Sequence, residues 1–390
     1  MNLTRLTLYG FRNLAEQRLE FRGGLQAICG GNAEGKTNLL EAIFCLTAGR
    51  SFRSADDQIL VGQPHGFEGK AGYRLDGEIK RRDDALHLLL TFDQEAKRRT
   101  FSLNGAPLRR VMELWAEVKA VPFVPADSLL VKGPPLLRRQ FLNRFLGQKS
   151  ALYRYHLQRF SIALRHRNAI LKAMQRGYPR FHLGNGDRIN SVPIAAASER
   201  GEGLESWNGV YHEVAQALVD ERAAAILLLA EAAQSFYRRL SRDGEAVQLT
   251  YQPSSWEIAK DLVSGAGREI AAGTCLFGPH LDELEIRLSG RAARFYSSEG
   301  EARCLALALR LAEYQILCED GGEAPLLLLD DALSELDGDR REALLSVIEP
   351  FPQVFLTTTA IEELPRRWRE KVIAFDVQDG EIKKRPDSTG

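Results

Sequence analysis

LLLLDDALSELD, at Leu326–Asp337, is the stretch that decides the fold, because it supplies the second half of a nucleotide site that GGNAEGKT begins at Gly30–Thr37. Four leucines in a row predict a strand buried on both faces, and Asp330 follows at the position where an open α/β sheet presents its ligands. In the P-loop pattern, glycines let backbone N–H groups close around phosphates, Lys36 reaches the β- and γ-phosphates, and Thr37 offers a hydroxyl to Mg²⁺. Together the two motifs predict an ATPase.

The composition is that of an ordinary soluble protein and narrows the possibilities only a little. The chain has 390 residues, 44% hydrophobic and 27% charged, which is enough for two or three domains. Its 52 basic residues balance 52 acidic ones, so any contact with DNA must come from a local basic patch. The five cysteines lack the C-x-x-C spacing of a zinc site. With neither a long apolar run nor a signal pattern, the sequence predicts a cytoplasmic protein that does not contact a membrane.

The first third of the chain alternates in the manner of strands around the P-loop. An apolar run, Leu25–Cys29, leads into the loop, and Asn38–Gly49 has the pattern of the helix that the loop opens. Turn residues separate the later strand-like runs, and this predicts an antiparallel flank. These runs are Ala71–Leu75, Leu86–Phe92 and Thr100–Leu103.

The middle of the chain is predicted to be a separate helical module. Helical patterns cover Pro134 to about Lys172, with a break at Gly147, and Leu204–Leu240. Between them, residues 177–203 lack an apolar period, which indicates a loop or partly disordered insertion of unassigned role. We therefore expect the N-terminal half of an ATPase head at 1–133, a helical lobe at 134–272 and the C-terminal half of the head at 273–390.

A short turn, SSEG at Ser297–Gly300, precedes the apolar helical pattern of the C-terminal third. In ABC-type ATPases a Ser-x-Gly turn at a helix N-terminus contacts the γ-phosphate held by a second copy, because free N–H groups and the positive helix end attract phosphate. Taken alone, SSEG is an ordinary N-cap in which Ser298 and Glu301 form a capping box. Its place between the P-loop and the strand before Asp330 favours the signature turn.

The chain resembles the RecF family, recombination-mediator ATPases of the SMC-like branch of ABC ATPases, nearly from end to end. The matching blocks are LTLYGFRNL, GNAEGKTNLLEAIFCLTAGRSFR, VPFVPADSLLVKGPPLLRRQFLN, RHRNAILK, GPHLDEL, SSEGEAR with LALALRLAE, LLLLDDALSELD and QVFLTTT. The resemblance implies an α/β fold: an ABC-type ATPase head, built on a mixed sheet with an antiparallel flank, that carries an inserted helical lobe.

Two departures from the family pattern bear on the site. Ala33 stands where glycine is commoner, which is acceptable if the φ angle there is negative. The signature turn, usually SGGQ, carries Glu299 and Glu301, two carboxylates near a surface that faces phosphate. We expect Glu301 to cap back onto Ser298 and Glu299 to point to solvent. Slow turnover or weak dimerisation is the alternative.

The resemblance also implies the roles of individual residues. The ATP-binding residues would be Arg12, Gly30, Gly31, Asn32, Ala33, Glu34, Gly35, Lys36, Thr37 and Asn38, with Ser298, Gly300 and Asp337 acting across a dimer. Thr37 and Asp330 would hold Mg²⁺.

The catalytic residues implied by the resemblance are Lys36, Asp331 and Thr358. Asp331 takes the place of the glutamate that orients or deprotonates the attacking water, and its shorter reach predicts slow hydrolysis; a purely structural Asp331 is the alternative. Thr358 replaces the switch histidine and cannot take a proton at neutral pH. His280 is either a base or a loop histidine bonded to the backbone.

The functional prediction is an ATP-dependent homodimer that binds double-stranded DNA near single-strand gaps, independently of sequence. By resemblance it would act with RecO and RecR in placing RecA, with weak DNA-dependent ATP hydrolysis as a switch. Candidate DNA contacts are Lys80-Arg81-Arg82, Arg138-Arg139, Arg165 with Arg167, and Arg238-Arg239. The alternatives are the ATPase head of a defence or nuclease-coupled system, a transporter subunit, and a structural protein without ATPase activity.

Overall fold

The computed structural model describes residues 1–62, 71–176, 202–241, 244–319, 322–334 and 336–386. The predicted insertion at 177–203 lies outside these ranges except for its last two residues. The chain divides into two compact units. The first comprises Met1–Gly133, Leu229–Gln248 and Arg287–Gly390, and the second comprises Pro134–Leu228 and Leu249–Ile286.

The strands within the described ranges follow the chain as β1 Asn2–Tyr9, β2 Gln17–Glu20, β3 Gly24–Cys29, β4 Gly72–Lys80, β5 Ala85–Asp93, β6 Arg98–Leu103, β7 Ala106–Pro107, β8 Ala120–Phe123, β9 Val247–Gln252, β10 Glu283–Leu288, β11 Arg291–Ala292, β12 Leu326–Leu329, β13 Gln353–Thr358, β14 Ile373–Gln378 and β15 Glu381–Lys384.

The α-helices within the same ranges are α1 Lys36–Ala48, α2 Val111–Glu117, α3 Ser128–Lys132, α4 Pro135–Lys149, α5 Ala151–Gln175, α6 Glu202–Leu240, α7 Ile258–Ser264, α8 Ala266–Ala272, α9 Ala293–Tyr296, α10 Glu299–Glu319, α11 Gly338–Ile348 and α12 Arg366–Arg369.

A largely parallel sheet in the first unit brings the nucleotide motifs to one edge. Its order is β15-β14-β3-β13-β12-β8, with β14 to β8 parallel and β15 antiparallel. The four leucines of β12 are buried between β13 and β8, as the sequence predicts. Because β3 and β12 run in the same direction, both strands end at the same edge of the sheet. The loop after Cys29 and the carboxylate of Asp330 therefore lie at that edge.

The predicted antiparallel flank is confirmed as a second sheet of the first unit, with the order β2-β1-β4-β5-β6-β7. Its central strands, β4 and β5, pair along their full lengths, from Gly72 with Asp93 to Lys80 with Ala85. Alternate residues of β5 are buried, which is the pattern of a strand with one face against a core.

The P-loop helix α1 lies in the core that the two sheets share. Every residue from 39 to 48 is buried, so this helix is enclosed on all sides after its first turn. One continuous cluster joins Leu6 and Leu75 of the antiparallel sheet, Ile43 of α1 and Phe355 of the parallel sheet. This packing fixes the helix that presents Lys36 and Thr37, so the phosphate-facing end stands on a rigid base.

The helical unit contains α4 and α5, but the predicted break at Gly147 is wrong. Gly147 is buried inside α4, and the chain breaks at Ser150, which has extended backbone angles. The Ser150 hydroxyl accepts a hydrogen bond from the Tyr153 N–H and thereby caps α5. A serine cap therefore ends one helix and begins the next without help from glycine.

A buried arginine organises this unit. Arg222 of α6 is 2% exposed and donates to Asp282, at 2.8 Å, and to the hydroxyl of Tyr153, at 3.0 Å. Tyr251 donates to the same aspartate. The GPHLDEL segment therefore serves here as an internal partner for a buried charge. No α-helix in the described ranges has both the length and the apolar character that crossing a bilayer requires.

Candidate nucleotide-binding site

The P-loop connects β3 to α1, and two of its glycines are required by their surroundings. A Cβ at Gly30 would lie 2.4 Å from the carbonyl oxygen of Val377 in the neighbouring strand. Gly35 has a φ of +122°, and a Cβ there would lie 3.0 Å from the Leu14 side chain. The loop is therefore packed too closely on its protein side to accept larger residues at these two positions.

Ala33 adopts a φ of +68°, so the condition under which alanine would be accepted without strain, a negative angle, is not met. The loop turns through the left-handed region here, and Asn13 donates to the Ala33 carbonyl at 3.2 Å. The next residue is also held, because the Glu34 carboxylate accepts from the Asp379 N–H at 2.5 Å. A left-handed non-glycine residue costs about 1–2 kcal/mol, and these contacts hold the loop in that conformation.

Lys36 folds back over the loop. Its ammonium donates to the carbonyl oxygens of Gly30 and Gly31, each at 2.6 Å. The lysine charge thus lies over the cradle that the loop backbone forms. A bound triphosphate would exchange these bonds for stronger ones to its own oxygens.

Thr37 and Asp330 meet although 293 positions separate them in the chain. The Thr37 hydroxyl lies 2.9 Å and 3.0 Å from the two carboxylate oxygens of Asp330. Burial raises the pKa of this carboxyl above its usual value, and hydrogen bonds from Thr357 and Thr37 offset part of that rise. One hydroxyl and one carboxylate are the hard oxygen donors that Mg²⁺ takes, with water and phosphate oxygens completing an octahedron. The side chains present therefore fit the predicted metal.

Asp331 follows in a left-handed conformation, with a φ of +52°. Its N–H donates to the hydroxyl of Thr357 at 2.8 Å, and its side chain is 47% exposed. The carboxylate accepts from Arg303 at 3.3 Å and from Ser334 at 3.0 Å. The residue is thus accessible to water and held from several sides.

Thr357 is the threonine that lies in this network, whereas the predicted residue was its neighbour Thr358. The Thr357 hydroxyl donates to Asp330 at 2.9 Å. Thr358 points to the other face of β13, where it donates to Glu363 at 2.6 Å. The role proposed for Thr358 stays a prediction, and Thr357 joins the candidates. The period of two along a strand separates these neighbours, but their sequence does not say which one faces the site.

Arg12 is paired with a buried carboxylate in the structure, and its approach to the nucleotide stays a prediction. Its guanidinium donates from two nitrogens to both oxygens of Glu41, each at 2.9 Å, and from the third to the carbonyl of Ile59. Arg53, to which the sequence alone assigned no role, donates to Asn38 at 2.8 Å and lies 3.6 Å from the same carboxylate. Two arginines therefore converge beside the first turn of α1.

We expect Arg12→Ala to lower the free energy of unfolding of the nucleotide-free protein by about 2 kcal/mol, because it removes a bidentate pair from a fully buried glutamate. Ser51, which donates to the same carboxylate at 2.5 Å, limits the loss. Urea denaturation without nucleotide measures this loss of stability. Glu41→Gln is the matched variant, because it changes the other member of the pair. Unchanged stability with weakened ATP binding would instead assign Arg12 to the nucleotide alone.

The signature turn forms the capping box that the sequence predicts. The Glu301 carboxylate accepts from the Ser298 N–H at 2.6 Å, and the Ser298 hydroxyl accepts from the Glu301 N–H at 3.2 Å. Glu299 is 60% exposed, but Lys132 donates to it at 3.1 Å. Hydrogen bonds from Ser128 and Lys132 lower the pKa of Glu299. Both carboxylates beside Gly300 thus have partners within the subunit.

Asp337 has a local role in addition to the predicted one at a dimer seam. Its carboxylate caps α11 by accepting from the Arg340 N–H at 3.0 Å. His280 has the surroundings of a loop histidine: Nε2 lies 3.3 Å from the carbonyl of Cys275, and burial lowers the pKa of the imidazole. These contacts favour a positioned histidine over a catalytic base.

The candidate DNA contacts include two arginines that the structure buries. Arg138 is 3% exposed and pairs with Glu283 at 2.6 Å, while Arg167 is fully buried and pairs with Glu269 at 2.7 Å. The expectation that these two face DNA is wrong, because each one neutralises a carboxylate in its own unit. The exposed members of the four clusters are Lys80, Arg82, Arg165, Arg238 and Arg239.

Comparisons with known proteins agree along the whole chain. Residues 2–383 match the RecF/RecN/SMC N terminal domain. A DNA replication and repair protein RecF from Macrococcus caseolyticus is 32% identical over 392 residues, which cover 98% of this chain and 99% of the relative. Together with the structural likenesses below, these matches confirm the predicted α/β ABC-type ATPase head.

Two solved structures resemble this one over nearly their full lengths. The recombination mediator protein RecF-ATP in the RecFOR pathway has a TM-score of 0.82 at 26% identity and covers 98% of this chain and 97% of its own. A Smc head domain from Pyrococcus furiosus has a TM-score of 0.56 at 18% identity and covers 98% of this chain and 95% of its own. The second likeness concerns the fold alone.

Proposed function

This chain belongs to the RecF/RecN/SMC N-terminal domain family, as one of its RecF members, and from that premise we propose that it is an ATP-switched DNA-binding protein that mediates recombination in DNA repair and replication. The observation that carries the proposal is the 2.9 Å contact between Thr37 and Asp330, which joins the P-loop to the end of β12. A hydroxyl of the P-loop beside a carboxylate at the end of a nearby strand is the arrangement that binding of a nucleoside triphosphate with a divalent cation requires.

The chemistry that we assign to this site is hydrolysis of the γ-phosphate of ATP. Loop backbone groups from Gly30 to Gly35 bind the phosphates, and Lys36 neutralises charge on the β- and γ-phosphates. Asp331 orients water, whose oxygen bonds to the γ-phosphorus as the bond to the bridging oxygen breaks. ADP leaves with that electron pair, and the released phosphate takes up the water proton.

The metal proposed here is Mg²⁺, held by Thr37 and Asp330. When bound, it neutralises charge that develops on the phosphate oxygens. Thr357 positions Asp330 by donating to one of its oxygens. This hydrogen bond also lowers the pKa of the buried carboxyl against the effect of burial, and so favours the charged form that binds a cation.

The switch that we propose is a homodimer that closes around two ATP molecules. Ser298 and Gly300 of each subunit would contact the γ-phosphate bound to the other, and Asp337 would lie at the seam. Ser298, Glu299 and Gly300 are exposed at the N-terminal end of α10, and the positive end of a helix attracts phosphate, which supports such a contact. We retain the division into a head at 1–133 and 273–390 and a helical lobe at 134–272 as part of this proposal, with weak, DNA-dependent turnover.

The DNA that we propose as the partner is double-stranded and gapped. It would be bound through phosphates without sequence preference, by way of the exposed basic side chains. We also propose that the protein cooperates with RecO, RecR and RecA in the cytoplasm, and membership of the family supports this part of the proposal.

The proposal is tested by measuring dimerisation and binding to a fluorescent gapped duplex in ATP, in ADP and without nucleotide. We expect dimers and tight binding in ATP alone, because only the triphosphate supplies a γ-phosphate to the second subunit. A gap-free duplex of the same length is the matched control for structure, and a scrambled duplex is the control for sequence. Equal binding in all three nucleotide states would end the switch proposal.

A further inference from the structure

Arg303 connects the helix of the signature turn to the end of β12. It lies on α10, the helix that Ser298 caps, and its side chain is 12% exposed. One guanidinium nitrogen, Nη2, donates to the carbonyl oxygen of Asp331 at 2.7 Å. The same nitrogen lies 3.3 Å from the Asp331 carboxylate oxygen Oδ2 and 3.3 Å from the Ser334 hydroxyl.

The carboxylate of Asp331 is consequently fixed through one of its oxygens. Ser334 donates to Oδ2 at 3.0 Å, so Arg303 and Ser334 both hold that atom. Within the described ranges, the other oxygen, Oδ1, makes no hydrogen bond to the protein. A carboxylate anchored in this way presents its second oxygen in a defined direction, and the half-exposed side chain leaves that oxygen accessible to water.

Because Asp331 has a short side chain, the anchoring of its carboxylate is important for its reach toward water. An aspartate is one methylene shorter than the glutamate usual at this place, so its reach depends on the backbone and on the carboxylate orientation. The backbone of Asp331 is held in a left-handed conformation by its bond to Thr357 and by the Arg303 bond to its carbonyl. A misplaced catalytic group loses rate steeply with distance.

We infer that Arg303 is a positioning residue for ATP hydrolysis, which holds Asp331 so that its second carboxylate oxygen meets the attacking water. Because Ser298 caps α10 and Arg303 lies on it, a partner's triphosphate that docks on the signature turn acts on the same helix that positions the hydrolytic carboxylate. The inference rests on the function proposed above. It adds a route by which contact with a second subunit reaches the chemistry of the first.

A purely structural Arg303 is the competing interpretation. Its bonds to the Asp331 carbonyl and to Ser334 would then only close the turn after β12. In that case Arg303→Ala would lower stability and leave turnover by the folded enzyme unchanged. Turnover at saturating ATP, measured beside ATP affinity and thermal stability, separates the two interpretations.

The first experiment measures kcat and the Kd for ATP of the full-length protein and its variants. We expect Arg303→Ala to lower kcat about tenfold, with the Kd for ATP within about twofold of the wild type, because Arg303 acts through Asp331 and not on ATP. Arg303→Lys should recover part of the rate. Ser334→Ala should cost less than Arg303→Ala, because it removes one of the two donors to Oδ2. Arg74→Ala is the matched control, since Arg74 is 28% exposed and pairs with Asp76 at 2.9 Å in the antiparallel sheet.

The second experiment places Arg303→Ala in an Asp331→Asn background and measures single-turnover hydrolysis of labelled ATP. If Arg303 works through Asp331, the double variant hydrolyses ATP as slowly as Asp331→Asn and no slower. Losses that multiply would overturn the inference, as would wild-type turnover in Arg303→Ala. Should Arg303→Ala fail to fold, Arg303→Lys and Ser334→Ala carry the same test. Failure of the proposed function is distinct, because the wild type itself would then neither bind nor hydrolyse ATP.

Discussion

Replacing Lys36 with methionine is expected to weaken ATP binding roughly 1,000-fold, or about 4 kcal/mol, since two charge-assisted hydrogen bonds of about 2 kcal/mol each are lost. Methionine keeps the unbranched apolar stem of lysine and lacks only its terminal ammonium, so the α1 packing behind the loop stays intact. Among the residues that the structure describes, the ammonium bonds only to the carbonyls of Gly30 and Gly31. The variant should therefore fold normally and lose both ATP-dependent dimerisation and DNA binding.

Calorimetric titration with ATP measures this loss, and the denaturation midpoint without nucleotide serves as the internal control. Lys383→Met is a matched substitution on the exposed edge strand β15, where it removes a surface pair with Glu381. It should bind ATP like the wild type. Undiminished ATP affinity in Lys36→Met would contradict the assignment of the loop as the phosphate site.

Asp331→Asn is expected to reduce ATP hydrolysis about 100-fold while leaving ATP binding within a few-fold of the wild type. The amide has the shape of the carboxylate, but it offers one acceptor in place of two and carries no charge to orient water, and groups in this role contribute about 100- to 10,000-fold to rate. Binding survives because phosphate recognition lies with the loop and with Lys36. The variant should accumulate as ATP-bound dimers on DNA.

Phosphate release under saturating ATP, together with the lifetime of the dimer, measures this effect. Asp220→Asn is the control, because Asp220 is an exposed carboxylate on α6, outside the nucleotide site, that accepts a hydrogen bond from Gln216. Retained hydrolysis in Asp331→Asn would return Asp331 to a structural role in the turn after β12.

The parts of the site that the sequence could predict are those in which chemistry dictates a local pattern. Phosphate binding requires the backbone to approach the phosphates closely, so the sequence pattern predicts the glycines at positions 30 and 35. The structure explains both glycines by the close contacts that a Cβ atom would make there. A strand buried on both faces must be apolar, which identified β12 and placed Asp330 at its end.

The parts that the sequence could not predict depend on distant partners. Arg12 is held by Glu41 because the chain folds back between them, and nothing in the adjacent residues reveals that pairing. Ala33 tolerates a left-handed angle because Asn13 and Asp379 support its loop from other segments. The choice between Thr357 and Thr358 depends on which face of β13 the site occupies, a matter of register that only the assembled sheet decides.

The boundary between α4 and α5 also shows which features the sequence could and could not predict. The predicted break at Gly147 relied on glycine as a helix breaker, but a buried glycine inside α4 can serve close packing. The true boundary at Ser150 carries a recognisable signal, a serine whose hydroxyl caps the next helix. Cap chemistry was therefore the better guide to this boundary than the helix propensity of glycine.

The burial of Arg138 and Arg167 has a consequence for titrations with salt. Each phosphate of duplex DNA that a surface cation neutralises releases close to one condensed counterion. The slope of log affinity against log salt concentration therefore steepens by about 0.9 for each phosphate contact. A buried arginine that pairs with a carboxylate of the protein does not contact DNA and therefore releases no counterion. The ionic-strength slope should therefore be shallower than the number of basic residues in the four sequence clusters implies.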